Sequence, residues 1–196
     1  MQKFIIVFIV TTLLSACSLM PQKLPPSEQM TPQETPLLAA SLLGETVQVT
    51  QKLLIRKGND QHQMLAVLLV SDTALTLTGF NSLGQQLILI RYENNQLSVE
   101  RSPWFPASIP ARQILAQLQL AYWPLEHLQT AYPAPWHVEA TPKRRVFLQK
   151  QKPIMTINYS ALNLWDSTIT LKHNVLDYEL RVETVALQKL PPTVNN

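Results

Sequence analysis

The side chains that could do chemistry are few and scattered along this sequence. The four histidines are His62, His127, His137 and His173. They lack the His-x-x-x-His or Cys/His spacing of a metal site, and neither a glycine-rich phosphate loop nor a Gly-x-Ser-x-Gly motif occurs. We therefore predict no enzymatic activity, no metal and no cofactor. The minor alternative is an enzyme acting on an envelope glycolipid, for which Glu139 and Asp166 would be the carboxylates to substitute.

Cys17 is the only cysteine, and its position near the amino terminus gives it one specific chemistry. Residues 1–3 are short and basic, and residues 4–14 are largely apolar but too few to cross a bilayer about 30 Å thick as a helix. Small residues then precede the cysteine. This arrangement resembles the bacterial lipobox, which implies cleavage before Cys17, a diacylglyceryl thioether on its sulfur and an acylated amino terminus. We expect residues 1–16 to be a signal peptide and Cys17 to be the lipid anchor.

The residues after Cys17 predict how the anchor is used. Ser18 occupies the position where, in the enterobacterial pattern, an aspartate would signal retention in the inner membrane, so we predict the periplasmic face of the outer membrane. Residues 17–36 contain five prolines and bury little, which is typical of an extended tether. Nearly extended, it could hold the domain roughly 50 Å from the membrane. Without a second cysteine, the domain has no disulfide framework and depends on its core for stability.

The charge of the chain is mild. The formal net charge is +3 at pH 7, and removal of Lys3 with the signal peptide lowers it by one, which is too little to predict a nucleic-acid partner. Residues 143–145, Lys-Arg-Arg, form the one basic cluster. We expect a solvated strand end there, with contact to a lipid phosphate or a protein partner as the alternative, and we expect the protein to be a monomer.

Short strand-like segments fill most of the remaining sequence. The predicted strands are residues 46–57, 61–71, 73–80, 86–92, 96–101, 136–140, 145–150, 154–159, 167–173 and 177–185. Residues 66–70 and 87–90 are apolar on both faces, which fits either a sheet covered on both sides or strands covered at one end. We predict a mainly β (α+β) fold: a curved antiparallel sheet, or half-open β-barrel, of about ten strands with a helical lid. With only four glycines, its curvature must come from bulges and twist.

Residues 109–132 contain the only long helical pattern. Pro110 suits a first helical position, and Pro124 ends or kinks the helix. One face of the pattern carries Ala111, Ile114, Leu115, Leu118, Ala121, Tyr122 and Leu125; the far side carries Ala116, Leu120 and Trp123. A helix that is apolar on two sides must be covered on both. It is either a core helix under extra loops or a lid over an apolar cavity with open space beside Tyr122.

Several of these segments resemble a known family. Residues 77–87, Leu-Thr-Gly-Phe-Asn-Ser-Leu-Gly-Gln-Gln-Leu, resemble the strand–turn–strand of LolB, the outer-membrane lipoprotein receptor, in which a leucine followed by glycine protrudes and helps deliver lipoproteins into the membrane. The helical segment broken at Pro124 and ended by Pro133 resembles the LolB lid helices, and residues 167–185 resemble its closing hairpin.

A second resemblance is closer. Residues 117–124, Gln-Leu-Gln-Leu-Ala-Tyr-Trp-Pro, together with Tyr159, are similar to an uncharacterised lipoprotein family encoded beside aryl-polyene pigment genes. The resemblances together cover about residues 37–187. They imply a LolA/LolB-like lipid-binding domain at residues 37–190, followed by a short tail at residues 191–196.

The resemblance implies an outer-membrane lipoprotein that binds a lipidic or acylated cargo and passes it to the outer membrane. Leu83 would be the protruding leucine of the transfer hairpin. Our candidates for lining the apolar cavity are Leu75, Leu77, Leu89, Ile114, Leu118, Tyr122, Ile157 and Leu180. The cargo would be a lipoprotein or an aryl-polyene lipid, and a periplasmic LolA-like carrier is a candidate donor.

The alternative function is that of a non-catalytic adaptor for envelope assembly. It would bind a protein partner through a sheet edge or through the loop containing Trp104 and Phe105. Prolines bound that loop on both sides. We expect its two aromatic side chains to be buried under the sheet, and exposure would instead indicate a membrane or partner contact.

Overall fold

The structure is a computed structural model that describes residues 35–191. The predicted signal peptide, Cys17, nearly all of the tether and most of the short tail therefore lie outside the described residues. The strands are β1 Val47–Lys57, β2 Asp60–Val70, β3 Ala74–Phe80, β4 Gln86–Glu93, β5 Gln96–Arg101, β6 Trp136–Thr141, β7 Arg144–Gln149, β8 Lys152–Tyr159, β9 Ile169–His173 and β10 Tyr178–Lys189. The helices are α1 Ala111–Tyr122 and α2 Leu125–Ala131, and a short 3-10 helix, Ala40–Leu43, precedes β1.

All ten strands form one antiparallel sheet in the order β5-β4-β3-β2-β1-β10-β9-β8-β7-β6. Consecutive strands pair within two meanders, β1–β5 and β6–β10, and the pairing of β1 with β10 joins the meanders. The sheet stays open at β5 and β6. This confirms the predicted fold class, and each predicted strand corresponds to an observed one.

The sheet curves around α1. At the end of the helix, Tyr122 contacts Gln51 on β1, whereas the carbonyl of the next residue, Trp123, contacts Arg145 on β7, four strands away. Three strand pairings contain a register shift: β1–β10 at Thr50/Gln51, β3–β4 at Gly79/Phe80 and β7–β8 at Phe147/Leu148. Such irregularities increase local twist and bend a strand, which suits a curved sheet that has few glycines.

The inner face of the sheet, toward α1, carries the core. Its fully buried side chains include Val47, Val49, Leu68, Val70, Leu75, Ile88, Ile90 and Ile169. Helix side chains Leu115, Leu120 and Leu128 complete this core from the other side. No helix within the described residues is long and apolar enough to span a membrane.

The segments predicted to be apolar on both faces are half-exposed on the outer face of the sheet. Val67, Leu69 and Leu89 are half-buried there, and Leu65 is 41% exposed. Leu77 and Ile90 oppose each other on the inner face, so Leu89, which opposes Thr78, points to the outer face. The prediction that Leu89 lines the cavity together with Leu75 and Leu77 is therefore wrong. Residues 87–90 are all apolar, so their pattern does not indicate which side chains face inward.

Helix α1 is covered on two sides, as its two apolar faces predicted. The sheet covers one side. The segment of residues 35–43 covers another, where Gln119 hydrogen-bonds the main chain of Leu38 and the Trp123 indole N–H donates to the carbonyl of Ala39 at 3.1 Å. The helix begins one residue after Pro110 and ends before Pro124, close to the expected limits.

Candidate functional site

The space between α1 and the sheet is closed at Tyr122. The Gln51 side-chain amide donates to the Tyr122 hydroxyl at 2.6 Å, and the Tyr122 ring stacks on Trp165 with centroids 4.3 Å apart. Tyr122 is only 5% exposed, and burial raises the pKa of its phenol above the ordinary value. The expected opening beside Tyr122 is therefore absent from the described residues. Trp165, in the β8–β9 connection, fills that space.

The C-terminal end of α1 is clamped to β7 and β8. Arg145 Nη1 donates to the carbonyls of Leu120 (2.9 Å) and Trp123 (2.8 Å), and the Tyr159 hydroxyl donates to the carbonyl of Ala121 at 2.7 Å. The last helical carbonyls lack partners within the helix and carry partial negative charge, so a guanidinium stabilises them. Burial raises the pKa of Tyr159 to about 12, although the neighbouring Arg145 charge opposes this.

The clamp corrects one prediction about the basic cluster. Lys143 and Arg144 are exposed, as expected of a solvated strand end, but Arg145 is half-buried over the Tyr159 ring. Burial lowers the pKa of the Arg145 guanidinium below its ordinary value. Strand alternation distinguishes Arg145 from Arg144, and this was the signal available in the sequence: Arg145 lies two residues before the inward-facing Phe147.

The other end of the inner face is only partly covered. Following β1 from Val49 toward the β1–β2 turn, the inward side chains change from fully buried to half-buried at Leu53 and Ile55. Leu180 on β10 pairs with Ile55 on β1 and is also half-buried. The apolar wall of the sheet therefore continues past the point where the helix covers it fully.

The helix contributes half-buried apolar side chains to the same end. Gln117 hydrogen-bonds the phenol of Tyr178, at the start of β10, and burial raises the pKa of that phenol to about 12. Ile114 and Leu118 adjoin Gln117 on the helix surface and are half-buried. We call the set of Leu53, Ile55, Ile114, Leu118 and Leu180 the groove mouth.

Met64 and Gly79 shape the floor beside the groove mouth. Met64 pairs with Leu53 on the inner face, and its Cε lies 2.4 Å from the position that a Cβ on Gly79 would occupy. Gly79 therefore leaves room for a flexible thioether to lie flat on the sheet. Sequence reasoning missed Met64, because the glycine that accommodates it lies on another strand.

The eight candidate lining residues fall into three groups. Leu75, Leu77, Ile157 and Tyr122 are buried in the core between sheet and helices, whereas Ile114, Leu118 and Leu180 belong to the groove mouth. Leu89 faces outward. Cys17 lies outside the described residues.

Two large apolar side chains project into solvent from one end of the sheet. Leu83, at the β3–β4 turn, is 81% exposed, and Trp104, in the β5–α1 loop, is 83% exposed. Phe105, in contrast, is 9% exposed. The expectation that the Trp-Phe pair is buried thus holds for Phe105 and is wrong for Trp104.

Other surface features show little organised chemistry. Two shallow depressions are lined mainly by polar residues: one by Lys52, Leu54, Gln61, Gln63, Arg181 and Glu183, the other by Ser41, Gly44, Glu45, Thr46, Ser71, Asp72, Lys189 and Leu190. Neither depression lies between α1 and the sheet. Across residues 35–191, no group of three His, Cys, Asp or Glu side chains is arranged to hold a metal ion.

Two solved structures are similar to this chain in outline. One is a domain from Vibrio parahaemolyticus provisionally described as an outer membrane lipoprotein-sorting protein; it is 8% identical, with a TM-score of 0.36 over 74% of this chain and 85% of its own. The other is a LolA superfamily protein from Nitrosomonas europaea, 10% identical, with a TM-score of 0.36 over 79% of this chain and 96% of its own. Similarity at this level assigns no function.

Sequence comparison is more specific about the family. Among curated proteins, none matches this chain. Residues 48–186, which include all of the sheet except the outermost residues of β1 and β10, match the family described as "Protein of unknown function (DUF3261)". Because this match covers well over half of the sequence, the chain belongs to the DUF3261 family.

Proposed function

We propose that this protein is a lipid-anchored envelope protein that binds the hydrocarbon part of a lipidic or acylated cargo at the groove mouth and passes it to the outer membrane. Helix α1 is the lid, and no chemical step is catalysed. The observation that carries the proposal is the change in burial along the inner face, from fully buried at Val49 to half-buried at Ile55. The half-buried part of this apolar face can therefore bind a hydrocarbon chain of the cargo.

In this proposal α1 must move away from the sheet when a long chain binds, although several contacts hold it in place. The groove mouth holds only part of an acyl chain, because Tyr122 and Trp165 close the space beyond it. A longer chain would have to separate α1 from the sheet, which breaks the clamp at Arg145. Burial of apolar surface contributes about 25 cal/mol per Å², so a chain of ordinary length offsets several hydrogen bonds.

The experiment is a binding titration of the full-length protein with a fluorescent fatty acid. Leu118→Gln should weaken binding by about fivefold to a hundredfold, because a polar amide in the groove mouth costs roughly 1–3 kcal/mol. Leu162→Gln is the matched control, since Leu162 is 70% exposed in the β8–β9 connection at the opposite end of the sheet. Equal binding by both variants would refute a cargo site at the groove mouth.

The cargo class follows from what the purified protein carries. Organic extraction of protein from its native host should release an acylated species. A pigmented extract would favour an aryl-polyene lipid, and an acylated peptide would favour a lipoprotein. In the second case, a periplasmic LolA-like carrier is the expected donor, because a protein held at one membrane needs a soluble partner to bring a lipoprotein to it.

A second candidate function, an envelope adaptor, is favoured by two observations. The interior beside Tyr122 is already filled, and the outer face carries half-exposed aliphatic side chains at Val67, Leu69 and Leu89. Such a patch suits a protein partner. Protein that yields no extractable lipid, and whose co-purifying envelope complex is lost on Leu89→Ser but kept on Leu118→Gln, would establish the adaptor and exclude the carrier.

A further inference from the structure

The β5–α1 loop holds Trp104 outward in a fixed geometry. Phe105, the next residue, is buried, and its ring lies 5.1 Å from the Arg101 guanidinium carbon. Arg101 also donates to the carbonyls of Pro106 and Ile109, and the Phe105 N–H donates to the Ser102 carbonyl at 3.0 Å. The loop is therefore tied at its base on both sides of Trp104. The exposure of this indole is built into the loop.

The β3–β4 turn presents Leu83 in a comparable way. The Asn81 side-chain oxygen accepts from the N–H groups of both Leu83 and Gln85 at 3.0 Å, and Gly84 takes the positive φ of 77° that closes the turn. The Ser102 N–H donates to the Leu87 carbonyl at 2.9 Å, which places the Trp104 loop beside the strand that leaves this turn. Two rigidly presented apolar tips thus lie at one end of the sheet.

The same end of the sheet contains the groove mouth. Leu65 on β2 pairs with Phe80 on β3, so the β1–β2 turn and the β3–β4 turn project in the same direction. Ile55 and Leu180 lie next to the β1–β2 and β9–β10 turns at that end. A flat surface resting on Leu83 and Trp104 would therefore face the groove mouth.

The position of Thr35, at the start of the described chain, bears on which surface Leu83 and Trp104 contact. The Thr35 carbonyl accepts from Arg112 at 3.0 Å in the first turn of α1, directly after the Trp104 loop. The described chain therefore begins beside the first turn of α1, which directly follows the Trp104 loop. An indole is well suited to the interface of a bilayer, where its ring contacts acyl chains and its N–H contacts water.

We propose that Trp104 inserts into the bilayer interface as a second contact beside Leu83, and that together they seat the domain with its groove mouth against the lipid surface. The partner is the phospholipid surface itself, bound without reference to cargo. The inference rests on the proposed function only in taking the membrane as its place of action. Trp104 would provide a second contact with the membrane, in addition to the one that Leu83 provides at the β3–β4 turn.

The test uses the lipidated full-length protein in vesicles of phosphatidylethanolamine and phosphatidylglycerol. Because Cys17 is expected to be acylated, the unsubstituted protein should take up no thiol-reactive dye, and single substitutions Trp104→Cys, Leu83→Cys and Leu162→Cys each supply one labelling site. The dye at residue 104 should shift its emission to the blue and be quenched severalfold more by quencher-bearing lipid than the dye at residue 162. All three variants should unfold at the same temperature as the parent.

Three results would overturn the inference. The dye at residue 104 could remain in water, the dyes at residues 104 and 162 could be immersed equally, or the dye at residue 104 could be shielded without being quenched by lipid, which would indicate a protein contact. Failure of the cargo titration would leave this inference standing. A dye that is immersed in lipid at residue 83 but exposed to water at residue 104 would also refute the inference. That result would leave the proposed role of Leu83 in cargo transfer unaffected.

Discussion

The side-chain amide of Gln119 pairs with both main-chain groups of Leu38. The Leu38 N–H donates to Gln119 Oε1 at 2.9 Å, and Gln119 Nε2 donates to the Leu38 carbonyl at 2.7 Å. Gln119 is 2% exposed, so these bonds are formed away from water. They fix residues 35–43 onto the side of α1 that faces away from the sheet, so a displacement of α1 would break these bonds or carry the segment with it.

Removal of this pairing should loosen the amino-terminal segment. Gln119→Ala leaves the Leu38 N–H and carbonyl unpaired, and we expect the free energy of unfolding to fall by about 2 kcal/mol. Urea unfolding measures the loss, and hydrogen exchange at the Leu38 amide locates it. Gln113→Ala, at a half-buried glutamine of the same helix, is the control. Unchanged exchange at Leu38 in Gln119→Ala would show that the pairing does not hold the segment.

Loss of the clamp should release the end of the lid. Arg145→Ala removes the donor to the carbonyls of Leu120 and Trp123, and we expect exchange of amides in the last turn of α1 to rise together with a destabilisation of about 2–3 kcal/mol. Arg144→Ala, at the exposed neighbour, should change neither. If the carrier function is correct, Arg145→Ala should also bind fatty acid faster, and slower binding would argue against α1 as the lid.

The floor of the groove should couple Gly79 to Met64. A Cβ at position 79 would lie 2.4 Å from Met64 Cε and 3.1 Å from Ile88 Cγ2, so Gly79→Ala must displace the thioether. We expect a cost of at most about 1 kcal/mol, below the usual overpacking penalty because Met64 Cε is the flexible end of its side chain, and a smaller cost when the same change is made in Met64→Ala. A double-mutant cycle from urea unfolding measures the coupling. Additive effects would mean that Met64 does not occupy this space.

The transfer hairpin can be tested through delivery. Leu83→Glu places a charge on an exposed tip, so fold and fatty-acid binding should stay unchanged while transfer of bound fatty acid to acceptor vesicles slows by at least about tenfold, since burying a lone carboxylate in lipid is costly. Leu162→Glu is the matched control. Parental transfer by Leu83→Glu would remove the hairpin from the mechanism.

Because four tyrosine side chains are buried, we expect the protein to lose stability and unfold at alkaline pH. Burial raises the pKa of Tyr122 and Tyr132 above the ordinary value, and that of Tyr159 and Tyr178 to about 12. Below about pH 10 these phenols are neutral in both states, but between about pH 10 and 12 the unfolded chain loses protons that the folded chain keeps. The free energy of unfolding should therefore fall across this interval.

Ultraviolet absorbance of phenolate measures this behaviour. We expect these four tyrosines to ionise together with the loss of circular dichroism, and reversibly if the pH is returned promptly. Gradual ionisation of all tyrosines near pH 10, with the fold retained, would contradict the burial of these side chains.

Most of the fold could be predicted from local sequence patterns. Alternation and turn residues marked ten strands, and Pro110 and Pro124 marked the limits of α1, because each of these signals acts within a few residues of itself. The resemblance to a lipobox around Cys17 rests on a linear motif of the same kind, and it stays a prediction. Leu83 could likewise be singled out, since a leucine beside a turn glycine has few neighbours whatever the rest of the chain does.

The state of the interior depended on the tertiary structure. Whether Tyr122 borders an opening is decided by Trp165, which lies 43 residues away in sequence and stacks on its ring. Arg145 becomes a clamp only because strand β7 passes under the end of α1, and Leu89 faces outward only through its pairing with Thr78. Packing depends on which distant side chains meet, and neither periodicity nor spacing along one chain contains that information.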